Sequence, residues 1–194
     1  MDGSVRTRMA VRRDRTWWED AILEAIAADG IGAVAVEPLA QRLGVTKGSF
    51  YWHFSGRDDA LSSAMRRWED QATSAPIAEL AVLDDPAERL RRLLDIAFVD
   101  PEESAIEASL LAAAASNPIV GAAVERVSRR RLAYVRDQFR ELGYPPVEAS
   151  RRALAAFSMY LGHIQLRALD PDLVPSGRSE QNYLALLARL LRAP

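Results

Sequence analysis

Apolar residues in this chain recur with the helical period, and no stretch alternates apolar with polar side chains as a half-buried strand would. Strands need a period of two and helices one of 3.6, so the pattern predicts an all-α fold. Gly, Pro and Asp clusters punctuate it at Asp84-Asp85-Pro86, Asp100-Pro101, Asn117-Pro118, Gly143 to Pro146, and Asp170 through Gly177. Between these breaks the spacing predicts helices over about 57–74, 86–99, 102–115, 119–142, 147–169 and 179–192. Upstream, Thr16 and Glu19 form a capping box that opens a first helix, and Asp29-Gly30 closes it. A second helix runs from about Glu37 to Leu43, with Pro38 in its first turn. A third begins at the N-cap Thr46 and ends near His53 or Phe54.

Composition narrows what such a helical chain does. With 194 residues, 49% hydrophobic and 27% charged, it buries a globular core, as one ordinary domain or a small one fused to a medium one. No apolar run approaches the roughly 18 residues of a membrane span, and the first 15 residues do not resemble a secretory leader, so a cytoplasmic protein without membrane contact is expected. There is no cysteine, and the two histidines, His53 and His163, stand far apart, which leaves no metal site and no thiol nucleophile to expect. A phosphate-binding Gly-rich loop and Glu/His metal spacing are also missing, so neither a cofactor nor enzyme activity is expected. Five arginines against two aspartates in residues 1–15 make a basic arm, open to a role as a DNA contact or as a solvated tail.

Specificity concentrates between Leu39 and Phe54. Two short helices flank a turn at Gly44, which suits a left-handed backbone, and Ala40 permits the helices to approach closely, the layout of a helix-turn-helix. At 100° per residue Phe50 and Phe54 share the inward face of the third helix, while Gly48 and Trp52 point away from it. An outward Trp flanked by Lys47, Ser49, Tyr51 and His53 is a poor solvent face and a good groove-facing one. Lys47 is the only lysine beside 24 arginines, and it sits in a first helical turn, where a cation opposes the helix dipole.

The run Leu-Gly-Val-Thr-Lys-Gly-Ser-Phe-Tyr-Trp-His-Phe at 43–54, followed by Arg57 and Leu61, resembles the DNA-binding domain of the tetracycline-repressor (TetR) family, and the resemblance extends from Thr16 to about Leu61. It implies that Tyr51 and His53 contact phosphates, that Thr46 and Lys47 reach the backbone or nearby bases, and that Trp52 reads base edges or a thymine methyl. Arg42, Gly48 and Ser49 complete the expected double-stranded DNA contacts, and Arg57 stands where the family usually has a phosphate-meeting lysine. The chain departs from the family pattern at Ala35, where a capping Ser or Thr is common, and at Ala60, where leucine is usual.

After the basic arm at 1–15, the resemblance further implies a reading unit at 16–56 and a ligand-binding and dimerisation unit at 57–194 that answers a small-molecule effector. For an apolar pocket the inward stripes offer Met65, Trp68, Leu94, Phe98 and Leu110, then Tyr134, Phe157, Tyr160 and His163. The last helix is apolar over more than half its circumference, too much for a helix resting on one core. Tyr183, Leu184, Leu187 and Leu191, with Ala153, Ala156 and Tyr160 of the preceding helix, are therefore expected at a homodimer interface. Arg129 to Arg131 reads as a solvated face. Repressor and activator both stay open, as does an all-helical interaction protein that kept the fold without DNA binding.

Overall fold

The first helix, α1 (Arg15–Asp29), starts one residue before the expected box, because the Asp14 carboxylate accepts the Trp17 amide at 3.0 Å and takes the capping role from Thr16. Glu19 accepts a hydrogen bond from the Ser63 hydroxyl instead of closing a box. The computed structural model describes residues 13–99 and 101–192, so most of the basic arm lies outside the described residues. Of the arm's arginines, Arg13 lies over the Trp17 ring, and Arg15 donates to the His53 carbonyl at 2.9 Å and the Ser63 hydroxyl at 3.0 Å.

Gly30, at φ 74°, ends α1 and donates to the Ile26 carbonyl. After a single 3-10 turn come α2 (Val36–Arg42) and α3 (Lys47–His53), then α4 (Arg57–Glu69). At Ala35 the N-cap of α2 makes no side-chain bond, as alanine must leave it. The chain then runs through α5 (Ala75–Leu80), α6 (Pro86–Val99), α7 (Pro101–Ala113), α8 (Pro118–Glu141), α9 (Pro146–Leu169) and α10 (Arg178–Arg192), with no strand among the described residues.

Between α4 and α5 the helix widens into a π turn over Asp70–Ser74. Expectation ended this helix at Ser74, and α5 is an addition. Pro76 reads in sequence as a stop, yet in the opening turn of a new helical segment its missing N–H is tolerated.

Apolar packing joins the helix-turn-helix to the helices behind it. Trp18, Ile22 and Ile26 of α1, Phe50 and Phe54, and Leu61, Met65 and Trp68 of α4 form one core with Leu110 of α7 and Val120, Ala123 and Val127 of α8. A second cluster centres on Phe139 between α8 and α9, and a third on Phe98 between α6, α9 and α10.

Candidate nucleic-acid interface and ligand cavity

The turn into α3 is set by Gly44 at φ 61°, a left-handed conformation that a Cβ makes costly, and the Val45 amide closes it on the Ala40 carbonyl at 2.9 Å. Thr46 then caps α3 by accepting the Ser49 amide. Phe50 and Phe54 are buried, with Phe50 edge-on to Trp18 at 5.6 Å, and this anchorage fixes the rotation of the helix about its axis. Gly48 and Trp52 consequently lie on an outward arc opposite the buried pair, and Lys47 and Tyr51 are exposed on the side that leads from that arc toward Phe54. Trp52 is 84% exposed and Tyr51 57%, an unusual amount of aromatic surface for solvent alone. At Gly48 a Cβ would meet only the Thr46 hydroxyl, at an ordinary 3.7 Å, so the backbone there is open.

The remaining expected contacts are placed less uniformly. Ser49 and His53 are half-buried at the flanks of the arc. Lys47 pairs with Glu37 of α2, and Arg42 pairs with Asp29. Arg57 turns inward: its Nε donates to the Val34 carbonyl at 2.6 Å and its Nη2 to the Ile31 carbonyl at 3.3 Å, so the cation caps the 3-10 turn after α1.

Behind this unit a cavity of about 100 Å³ lies among the π turn, α5 and α6 to α10. Leu94, Phe98, Tyr134, Phe157 and Tyr160 line it, as their inward stripes implied. Met65, Trp68 and Leu110 do not; they fill the core shared with α1, because the inward face of α4 is covered by α1 before the cavity begins. His163 stands behind Phe98, ring centroids 4.8 Å apart, and stacks on Tyr183 at 5.9 Å. It is 2% exposed with neither ring nitrogen bonded to protein, and burial, aided by nearby Arg167, lowers its pKa.

One polar group on the cavity wall was not foreseen. Arg131 is turned into the protein, where Nη1 donates to both Glu107 oxygens at 2.7 and 2.8 Å, Nε to the Thr73 hydroxyl at 3.0 Å, and Nη2 to the Ala72 carbonyl at 2.8 Å. Ala72 stands four residues before Pro76, which has no N–H to offer it. The Tyr160 hydroxyl donates to Glu107 at 2.8 Å, and burial, reinforced by that carboxylate, pushes its pKa up. Burial penalises the Arg131 charge most, but Glu107, Tyr160 and Glu103 together outweigh it and the pKa rises. The solvated face expected for the three arginines thus holds at Arg129 and Arg130 alone. The available signal was phase: Arg131 lies four residues from Val127 and four from Val135, both buried, and Glu107 lies three from buried Ser104 and Leu110.

Most of the residues expected at a subunit interface serve the chain's own interior. Ala153, Leu184 and Leu187 are buried, Leu191 packs with the Phe139 cluster, Ala156 and Tyr160 line the cavity, and Tyr183 packs on Phe98. The excess apolar surface on these two helices is real but faces the other way, at Leu154, Leu166 and Leu169 of α9 and Leu186 and Leu190 of α10. Leu184, Leu187 and Leu191 follow the i, i+3, i+7 stripe toward α6 and α9, so the opposite stripe is the outward one.

Residues 20–64 match the family model described as bacterial regulatory proteins, tetR family. Over 46 residues, 24% of this chain, the sequence is 37% identical to the HTH-type transcriptional regulator SrpR of Pseudomonas putida, and the match spans only 22% of that relative. A solved transcriptional regulator from Rhodococcus sp. superposes with a TM-score of 0.77 at 21% identity, over 92% of this chain and 95% of its own. The transcriptional regulator FadR from Bacillus subtilis, solved in complex with stearoyl-CoA, superposes at 0.71 and 16% identity, over 93% and 98%. At such identities the superpositions establish the fold alone.

Proposed function

We propose that this chain, a tetR-family transcriptional regulator with its DNA-binding segment at 20–64, is a homodimeric repressor that leaves its operator when a small apolar molecule enters the cavity behind that segment. The observation that carries the DNA-binding half is the outward face of α3, where Trp52 and Tyr51 stand exposed beside Lys47 on a helix locked from behind by Phe50 and Phe54. A duplex phosphate would draw Lys47 from Glu37 and Arg42 from Asp29, both exposed pairs that contribute little to folding. Tyr51 and His53 are assigned to phosphates and Trp52 to base edges, with 16–56 as the reading unit and 57–194 as the sensing and dimerisation unit. Arg57 has a positioning role: it holds the turn between α1 and α2 through two carbonyls.

Dimerisation is assigned to the outward leucines of α9 and α10, around Leu154, Leu186 and Leu190. A two-fold through that face sets the two α3 helices against half-sites one helical turn apart, about 34–36 Å, and predicts a near-palindromic operator. Ligand release is supported by the route through the molecule. The cavity wall includes Ala72 and Thr73 of the π turn, which continues α4, and α4 follows directly on the reading unit. A ligand that presses on Ala72 and Thr73 alters that turn and with it the spacing of the two reading heads. That the B. subtilis neighbour of the same fold was solved in complex with stearoyl-CoA supports a small-molecule ligand for this chain as well.

The deciding experiment is selection from random DNA followed by a mobility shift at stated salt. Wild-type protein is expected to enrich a near-palindrome, and Lys47→Ala with Tyr51→Ala to abolish the shift while the circular dichroism of the folded protein is unchanged. Enrichment of no preferred sequence by wild-type protein sinks the reading.

A further inference from the structure

The cavity's charged groups are already matched within the chain, which bears on what can enter it. Arg131 holds Glu107 through both carboxylate oxygens, and Tyr160 closes the same carboxylate from the other side. Glu107 is buried, so a ligand carboxylate that took Arg131 would strand it as an uncompensated interior charge. Arg91, on the wall, is held by Glu88 at 2.9 Å and Asp95 at 3.1 Å, and Glu103 is likewise engaged within the chain. Thr73 and Ser104 are also on the wall and already engaged within the chain, and most of what remains, including Ile77, Leu90, Leu94, Phe98 and Phe157, is apolar. One polar residue of the wall stands apart: Tyr134, whose hydroxyl is buried within the electrostatic reach of Arg89 and Glu141 and has no hydrogen-bond partner within the protein. A buried hydroxyl without a partner favours a ligand that supplies one.

We infer that the cavity takes a compact, uncharged, mainly apolar molecule carrying a single hydroxyl or carbonyl, with that group meeting Tyr134 and the apolar body against Leu94, Phe98 and Phe157. Its size follows from the space: a dry cavity of about 150 Å³ holds benzene, so about 100 Å³ with slight expansion suits a single-ring molecule. The inference rests on reading this cavity as the effector site.

Four probes of nearly equal size separate the possibilities: benzyl alcohol, ethylbenzene, benzylammonium and benzoate, titrated calorimetrically into the full chain without DNA. Benzyl alcohol is expected to bind at least about tenfold more tightly than either charged probe, since each of those must disrupt a matched interior pair or remain unpaired. Tyr134→Phe is expected to cut the lead of benzyl alcohol over ethylbenzene by about fivefold and leave ethylbenzene unchanged, a signature that loss of folding cannot imitate. Leu94→Trp, which fills the space, is expected to remove binding of both neutral probes. Equal or tighter binding of benzoate or benzylammonium overturns the inference, as does a Tyr134→Phe variant that weakens all four alike, or saturation by none of them at millimolar concentration. If benzyl alcohol binds as stated yet leaves operator affinity untouched, the effector reading falls and the ligand class stands.

Discussion

Arg131 and Glu107 stabilise the protein only as a pair. Removing the carboxylate alone, as in Glu107→Ala, leaves a guanidinium inside the protein facing Tyr160 and Thr73, a loss of about 3–5 kcal/mol in a urea titration. Replacing both, as Arg131→Met with Glu107→Leu, is expected to recover most of that stability, and a double variant as unstable as the sum of the singles would refute the pairing. The two kinds of site residue differed in how far they could be read. The exposure of Trp52 was legible because two phenylalanines four residues apart fix the phase of α3, and what lies opposite them must face out. Arg131 was not, because three consecutive arginines look alike until the neighbours at i−4 and i+4 are weighed. Arg57 shows a related limit: its charge is visible in sequence, but the carbonyls of Ile31 and Val34 that hold it belong to a turn whose shape is not.

Helices α6 to α10 start and stop within two residues of where Pro, Gly and Asp punctuation puts them, since proline fits a first turn and breaks an interior. The same rule concealed α5, where a proline follows a π turn and the helical path continues. The corner between α7 and α8 shows what the punctuation does not record. Asn117 caps α8 by accepting the Ile119 and Val120 amides, and the helix passes so near the end of α7 that a Cβ on Gly121 would lie 2.6 Å from the Ala114 carbonyl oxygen. Gly121→Ala therefore forces two backbones apart and is expected to cost about 1–3 kcal/mol, measured as a lowered thermal midpoint, although alanine is the better helix former. An unchanged or raised midpoint would show that the corner yields.

At the scale of the molecule, the apolar excess that the sequence shows in α10 leaves Leu186 and Leu190 exposed, and which stripe is left outward depends on the one that α6 and α9 cover. Leu186→Arg with Leu190→Glu, on the outward stripe, is expected to shift sedimentation from dimer to folded monomer and weaken operator binding, whereas substitutions at Leu184 or Leu187 should unfold the domain first. The core that runs from Trp18 through Leu61 and Met65 to Leu110 and Val127 joins α1 to α4 with α7 and α8, so a change near the π turn meets packed side chains the whole way to α3. Four tryptophans are spread unevenly over this frame: Trp18 and Trp68 are sealed in the core, Trp17 is half-covered, and Trp52 projects from α3. The chain thereby carries its own optical reporter. Iodide quenching of the red-edge emission samples chiefly the exposed indole of α3, so docking of that face on a duplex is expected to register as protection from quencher, with no dye attached to the protein.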